Sequence, residues 1–363
     1  MSTPSTITIA DRAIGPDHPP FIIAEMSGNH DGSLEKALAI VAAAAKTGAD
    51  ALKLQTYTAD TMTLDVTSDL FTITDPKSLW HGRTLHDLYE EAHTPWDWHP
   101  PIMERCQQLG LIVFSTPFDF TAVDFLEDLN VPAYKIASFE NTDHALLRKV
   151  ASTGKPVIMS TGMTTPDELA ESVGVLRKAG CQDLILLKCT SAYPAPADAI
   201  HLRTLKTLRQ RFGTHIGLSD HTLGTGVSVA AVALGAVVIE KHFTLDRADG
   251  GVDAVFSMEP AEMASLVHDT KLAWQAQGND VFGRTRQEEA SLVFRRSLFI
   301  AQDVAAGERL SENNVRAIRP GFGLPPKYLD TVLGKTVTRS VPAGTPVSWE
   351  LLDMAPPGGQ ENG

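Results

Sequence analysis

Two histidines end two neighbouring apolar runs of this chain. His221 closes His215-Ile-Gly-Leu-Ser-Asp-His221-Thr222, and His242 closes Val237-Val-Ile-Glu-Lys-His242-Phe-Thr244. Imidazole nitrogens on adjacent strand ends can share one divalent ion. Two such ligands leave coordination positions to water and to a substrate oxygen. That open shell suits Lewis-acid work on a carbonyl, and it favours Mn²⁺ or Mg²⁺ over a closed structural Zn²⁺. Asp220 and Glu240, close to the two histidines in sequence, are candidate ligands or groups that orient the rings. A lone histidine at a strand end is as a rule a hydrogen-bonded core residue; two on successive runs favour the metal reading.

The other run ends carry a matching set of polar residues: Glu25, Lys53, Gln55, Thr116, Lys135, Ser138, Ser160, Tyr193 and Ser219. Ammonium groups and Ser/Thr hydroxyls around one opening suit a ligand bearing phosphate and carboxylate. The alternative is that Lys53 and Lys135 merely pair with Glu25 or Glu240 inside the fold. Buried charges that only pair contribute little stability, so their recurrence on several runs argues for a site. Asp246-Arg247-Ala-Asp-Gly-Gly-Val-Asp253 reads either as a solvated acidic loop or as the source of a carboxylate for sugar hydroxyls or amides.

These residues need a scaffold that brings strand ends together. Eight short apolar runs recur at Phe21–Glu25, Ala51–Gln55, Ile112–Ser115, Ala133–Ala137, Val157–Ser160, Leu184–Lys188, His215–Leu218 and Val237–Glu240. They are nearly continuous in hydrophobicity, as parallel strands covered on both faces are. Helical spacing fills the gaps, as in Leu34–Thr47 before Gly48 and Pro166–Ala179 before Gly180. The expectation is an α/β fold, a (β/α)8 TIM barrel with its chemistry at the C-terminal strand ends, followed by a small β-rich domain. A doubly wound open sheet is the alternative, but no glycine-rich phosphate loop follows the first run. Thr56 to Leu111 is a long aromatic-rich insertion that reads as a lid or recognition loop, or as a packing or subunit contact.

The boundaries read as residues 1–276 for the barrel, 277–293 for a linker, 294–354 for a turn-rich, mildly basic β module, and 355–363 for a disordered tail. A net charge of −13 argues against broad nucleic-acid binding. No apolar run approaches the ~20 residues of a membrane span. Met1–Asp17 has no basic start and apolar stretch, so no secretory signal is expected. Cys106, Cys181 and Cys189 are an odd count without metal spacing, which points to reduced thiols in a cytoplasm.

With these motifs in this order the chain resembles the sialic-acid synthase family, enzymes that join phosphoenolpyruvate to an aldose. The resemblance rests on Ile23-Ala-Glu25-Met-Ser-Gly-Asn29-His30, Leu52-Lys53-Leu-Gln55, Ser115-Thr116-Pro-Phe, Tyr134-Lys135-Ile-Ala-Ser138, Met159-Ser160-Thr-Gly162, Lys188-Cys-Thr-Ser-Ala-Tyr193-Pro, Gly217-Leu-Ser219-Asp-His221-Thr and Glu240-Lys-His242-Phe-Thr. It implies that His221 and His242 ligate the metal. It implies phosphoenolpyruvate contacts at Lys53, Thr116, Lys135, Ser138, Ser160 and Ser219, and sugar-side or acid–base roles for Glu25, Gln55, Tyr193 and Asp253. The C-terminal module resembles that family's antifreeze-like (SAF) domain. Arg319 there, with Phe294, is implied to reach a neighbouring subunit's site, which makes a domain-swapped homodimer the functional unit. Ser191 and Gly251-Val252-Asp253 depart from the N-acetylneuraminate branch and resemble the branch that takes a 2,4-diacetamido-2,4,6-trideoxy hexose. The N-acetylneuraminate and legionaminate branches are the alternatives on the sugar side. From the residues alone, a Schiff-base aldolase using Lys53 or Lys135, or a non-catalytic sugar binder, are rivals from other classes.

Overall fold

The structure, a computed structural model, describes residues 5–355. Of the stretch expected as a disordered tail, 355–363, all but Ala355 lies outside the described residues. The chain divides after Gly278 into two compact units.

The first unit opens with a hairpin, β1 (Ile7–Ile9) against β2 (Arg12–Ile14). Eight parallel strands follow: β3 (Phe21–Glu25), β4 (Ala51–Thr56), β5 (Ile112–Pro117), β6 (Tyr134–Ile136), β7 (Val157–Ser160), β8 (Leu184–Cys189), β9 (His215–Ser219) and β10 (Val238–His242). They form a closed barrel in sequence order, with β10 pairing back onto β3. The intervening helices are α1 (Leu34–Thr47), the short α2 (Ala59–Met62), α3 (Leu85–Ala92), α4 (His99–Gln108), α5 (Phe120–Asp128), α6 (His144–Ala151), α7 (Pro166–Lys178), α8 (Thr204–Phe212) and α9 (Gly226–Ala233), with α10 (Pro260–Gln277) closing the unit. The expected TIM barrel is the observed one.

Local chemistry fixes several helix ends. Ser33 accepts a bond from Lys36 N at the start of α1, and Gly48 ends it at φ 83°. Thr165 and Glu168 form a capping box ahead of α7, with Pro166 in the first turn.

The strand period of two sorts the side chains into two cores. Ile22, Ala24, Leu52, Leu54, Ile136, Met159, Leu186, Ile216 and Ile239 face outward and are buried under the helices. Phe21, Ile23, Ala51, Phe114, Ile158, Ile185, Leu187 and Val238 face inward and fill the barrel. Stepping two residues further along the inward rows gives Glu25, Lys53, Thr116, Ser160, Cys189 and Glu240, so the apolar plug turns polar at one end by register alone. Gly217 is inward too, and a Cβ there would strike Val238 O and Leu187, so only glycine fits that layer. At the other end the hairpin supplies Ile7, Ile9 and Ile14 to the interior core. Nothing in the composition of this N-terminal stretch predicts the hairpin. Two strands of three residues, each set off by polar neighbours, carry too short a pattern to register.

The insertion from Thr56 to Leu111 is ordered. Its first half contains α2 and the 3₁₀ turn Asp69–Phe71.

The second unit pairs β11 (Ser297–Ile300) with β12 (Val315–Ile318) in antiparallel register over a core that includes Leu298, Ile300, Val304, Leu310 and Val347. Arg286–Phe294, which spans the end of the stretch read as linker and the first residue of the module, forms a 3₁₀ helix behind a Thr285–Glu288 capping box.

Candidate active site

The inward rows and the loops after them converge in three groups of side chains. The first is a charged floor. Lys53 Nζ lies 2.5 Å from Glu25 Oε2 and 3.9 Å from Glu240 Oε2. Lys135 Nζ lies 3.7 Å from Glu240 Oε1. The Lys53–Glu25 contact is close but off-axis for a hydrogen bond, and neither Glu25 Oε2 nor Glu240 Oε2 has a hydrogen-bond partner. Burial alone pushes Glu25 up, Lys53 pulls it down and Glu240 raises it again, leaving it at about 7. Burial works against Glu240 ionising too, but Lys135 and Lys53 outweigh it and hold the carboxyl below its usual range. Two unlike carboxyls therefore flank Lys53, one held ionised and one able to keep a proton near neutrality.

The second group is a ring of donors around the lysines. Lys53 Nζ donates to Thr116 Oγ1 at 3.2 Å and Lys135 Nζ to Ser160 Oγ at 2.8 Å. Ser219 Oγ donates to Glu240 Oε1 at 2.8 Å. Gly162 N donates to Ser138 Oγ at 3.1 Å, and Asn141 Nδ2 ties the two loops through Ser160 O and Gly162 O. A Cβ on Gly162 would meet Ser191 Oγ, and Ser138 Oγ at 2.6 Å, so glycine here lets two hydroxyls and a backbone amide share one spot. Ammonium groups, hydroxyls and an amide in a buried pocket are the donor set for a phosphate and a carboxylate.

The third group surrounds the two histidines. His221 and His242 have ring centroids 5.4 Å apart. Tyr193 packs at 4.4 Å on His221, and Phe256 at 4.9 Å on His242. His221 Nδ1 donates to Thr190 O at 3.1 Å, so in the neutral ring Nε2 carries the lone pair. His242 Nδ1 is buried without a hydrogen-bond partner, with Asp253 Oδ2 3.9 Å away. Burial, then the charge of His221, hold His242 well below its ordinary value, so it stays neutral. Burial opposes protonation of His221 as well, but the neighbouring Cys189 outweighs it and raises His221. Burial pushes the Cys189 thiol up, and the bond and charge of His221 bring it down to about 7. A neutral, unpartnered imidazole facing a second ring whose other nitrogen is held by a carbonyl fits a divalent ion. Among the described residues no three or more His, Cys, Asp or Glu side chains converge as a cage.

A polar wall joins these groups. Gln55 Nε2 donates to Glu25 Oε1 at 3.0 Å and to Ser27 Oγ at 3.1 Å, and Ser27 Oγ in turn donates to Asp253 Oδ2.

Twelve of the thirteen expected site residues therefore sit at one mouth: Glu25, Lys53, Gln55, Thr116, Lys135, Ser138, Ser160, Tyr193, Ser219, His221, His242 and Asp253. Arg319 lies on the second unit and is exposed, as is Phe294 there. Asp220, left open as ligand or orienting group, turns away from the rings. Its oxygens accept from Thr222 N, Thr222 Oγ1 and Ser228 Oγ, and it pairs with the buried Lys241 at 3.2 Å. It anchors the loop that carries His221. In the acidic loop only Asp253 faces the site; Arg247 is taken up by Glu259 and Glu262 outside it. Sequence reasoning missed Ser27, Cys189 and Phe256. The signal for Ser27 is a backbone one, φ 47° just past a strand, and residue type alone does not show it.

A closed parallel barrel holding two lysines, a ring of hydroxyls and an imidazole pair at its C-terminal mouth has the layout of a TIM-barrel enzyme. The NeuB family model matches residues 40–282 and the SAF domain model residues 295–353. The chain belongs to the NeuB family. Over 324 residues it is 43% identical to the pseudaminic acid synthase of Campylobacter jejuni, covering 89% of this chain and 94% of that protein. The N,N'-diacetyllegionaminic acid synthase of the same species is 35% identical over 327 residues, covering 88% and 96%. Among solved structures, the N-acetylneuraminic acid synthetase of Leptospira borgpetersenii superposes with a TM-score of 0.71 at 31% identity, over 80% of this chain and 95% of that one.

Proposed function

We propose that this enzyme condenses phosphoenolpyruvate with the open-chain form of a 2,4-diacetamido-2,4,6-trideoxy hexose, giving pseudaminic acid and phosphate. The observation that carries this reading is the position of Glu240 between the ammonium groups of Lys53 and Lys135, two residues before His242 on the same inward row. A carboxylate that touches both ammonium groups and precedes His242 by two residues on one strand supports an anion pocket beside the imidazole pair. The choice of sugar follows the higher identity to the pseudaminate enzyme than to the legionaminate one.

Lys53, Lys135, Thr116, Ser138, Ser160 and Ser219 would hold the phosphate and carboxylate of phosphoenolpyruvate. Gln55, Tyr193 and Asp253 would hold the sugar, with its aldehyde toward the histidines. A divalent ion, Mn²⁺ or Mg²⁺, held by His221 and His242 would supply Lewis acidity at the aldehyde oxygen. C3 of phosphoenolpyruvate bonds to the aldehyde carbon, whose oxygen gains a proton. Water adds at C2 and loses a proton, and the C2–O bond to phosphate breaks. The product is a nine-carbon 2-keto-3-deoxy acid. Glu25, near 7 and with one oxygen lacking a hydrogen-bond partner, can carry a proton to the sugar oxygen or take one from the water. Arg319 would complete the phosphoenolpyruvate pocket from a second copy of the chain, making a domain-swapped homodimer the working unit. No helix among the described residues is long and apolar enough to cross a membrane. Three free, buried cysteines suit a reducing cytoplasm.

The test is phosphate release from phosphoenolpyruvate against a panel of amino-sugars, with and without chelator. Release with the trideoxy sugar that stops on chelation supports the reading. Equal turnover of pyruvate in chelator, trapped by borohydride, would refute it in favour of a Schiff-base aldolase.

A further inference from the structure

We infer that Trp80 is a specificity-determining residue that recognises the methyl end of the sugar chain, an inference that rests on the function proposed above. The mouth has two unlike walls. One is the hydrogen-bonded row Gln55, Ser27 and Asp253. The other is aromatic, with Tyr193 and Phe256 5.2 Å apart and each packed on a histidine. Trp80 extends the aromatic wall from outside the barrel. Its ring lies 6.3 Å from Tyr193 at a tilt of 57°. Its indole N–H donates to Val252 O at 3.0 Å, one residue before Asp253, so the two walls meet at that peptide.

The loop bearing Trp80 is built to present it. Its base is closed by the Thr72–Thr84 bridge and by Ile73 N to Arg83 O at 2.9 Å. Gly82, at φ 83°, turns the chain just after it. Among the side-chain hydrogen bonds of residues 72–84, the one to Val252 reaches the barrel loops; the others end within 68–87. The insertion also closes on this side through Gly28, where a Cβ would come within 2.6 Å of Val252 and 3.0 Å of Ala92 O.

A half-buried indole whose N–H is already used offers a flat apolar face and no hydrogen bond to a hydroxyl. Opposite a polar wall that takes hydroxyls and amides, such a face fits a saturated carbon. In a trideoxy hexose that carbon is C6, a methyl group. A hydroxymethyl there would lose water without gaining a partner.

The test compares the 2,4-diacetamido-2,4,6-trideoxy hexose with its 6-hydroxy counterpart in wild type, Trp80→Ala and Trp80→Phe. Wild type should prefer the deoxy sugar by about tenfold in kcat/KM, the scale of one apolar group in a pocket. W80A should abolish that preference through the KM of the deoxy sugar, leaving the KM for phosphoenolpyruvate unchanged, and W80F should keep most of it. Equal losses on both sugars would overturn the inference, as would a wild type without preference. So would W80F failing as badly as W80A, which would assign the effect to the indole N–H tether. Melting curves check the fold, and W80L replaces W80A in the comparison if W80A unfolds. A wild type that releases no phosphate from either sugar defeats the proposed function and this inference with it; turnover with an unchanged ratio in W80A defeats the inference alone.

Discussion

Four rings, Tyr193, His221, His242 and Phe256, lie within 6.4 Å of one another, and that packing sets the behaviour of the histidines. His242 Nδ1 is shut off from water and from any partner, which favours the neutral ring and keeps a lone pair for a ligand. His221→Ala and His242→Ala should each reduce phosphate release by more than the ~100-fold that follows loss of an outer partner of a ligand, with circular dichroism unchanged. Glu140 gives a test of burial by itself. Burial holds its carboxyl up at about 7, and Oε2 has no hydrogen-bond partner. A carboxyl raised in the folded state stabilises through its protonated form: the contribution is whole below the ordinary 4.5 and is lost as pH rises through about 7. Glu140→Gln should therefore melt with the parent at pH 4 and above it at pH 8, by on the order of 2–3 kcal/mol. A gap that does not widen with pH would contradict this. At this scale the sequence showed residue types at strand ends but not orientation. It could not tell that Asp220 turns to Lys241 while Glu240 turns inward. Nor could it show Phe256, which reaches His242 only through the fold of a turn-rich loop.

Register makes the site at the level of elements. The inward rows turn from apolar to polar at the C-terminal strand ends and supply Glu25, Lys53, Thr116, Lys135, Ser160, Ser219, Glu240 and His242, while the loops just beyond add Ser138, Tyr193, His221 and Asp253. This was legible because buried parallel strands are unbroken apolar runs and their ends are abrupt; the eight runs match the barrel strands to within a residue or two. The hairpin β1–β2 was not legible, because its hydrophobic residues matter only against the barrel interior. Two glycines separate structural from functional crowding. Gly217→Ala would push a Cβ onto Val238 O, a backbone atom that cannot step aside, and should destabilise the barrel by several kcal/mol in chemical denaturation. Gly162→Ala meets the hydroxyls of Ser138 and Ser191, which can rotate, and Ser138 Cβ at 3.0 Å, where the loop must give by a few tenths of an ångström. It should cost less stability than Gly217→Ala and raise the KM for phosphoenolpyruvate by about tenfold or more. Equal effects of the two on stability would show that the hydroxyl cluster is a packing feature.

Over the whole molecule, a barrel with its own two cores is followed by a unit with a separate core and an exposed Arg319. The change from βα rhythm to turn-rich β sequence marked this division, because glycine and proline punctuate short strands. If Arg319 serves a second copy of the chain, His221→Ala and Arg319→Ala proteins should each be inactive or impaired alone. Unfolded and refolded together, they should regain turnover in mixed dimers, where one barrel keeps its histidines and receives an intact arginine. No recovery would show that each chain serves itself. The proposition beneath all of this is that His221 and His242 hold one ion beside the Lys53–Lys135 pocket. Electron paramagnetic resonance of Mn²⁺ added to the metal-stripped protein tests it most directly. The account predicts one bound ion per chain, lost in both histidine-to-alanine variants, with a spectrum that changes when phosphoenolpyruvate and sugar are added. Mn²⁺ bound equally by wild type and both variants, or a spectrum indifferent to both substrates, would contradict it.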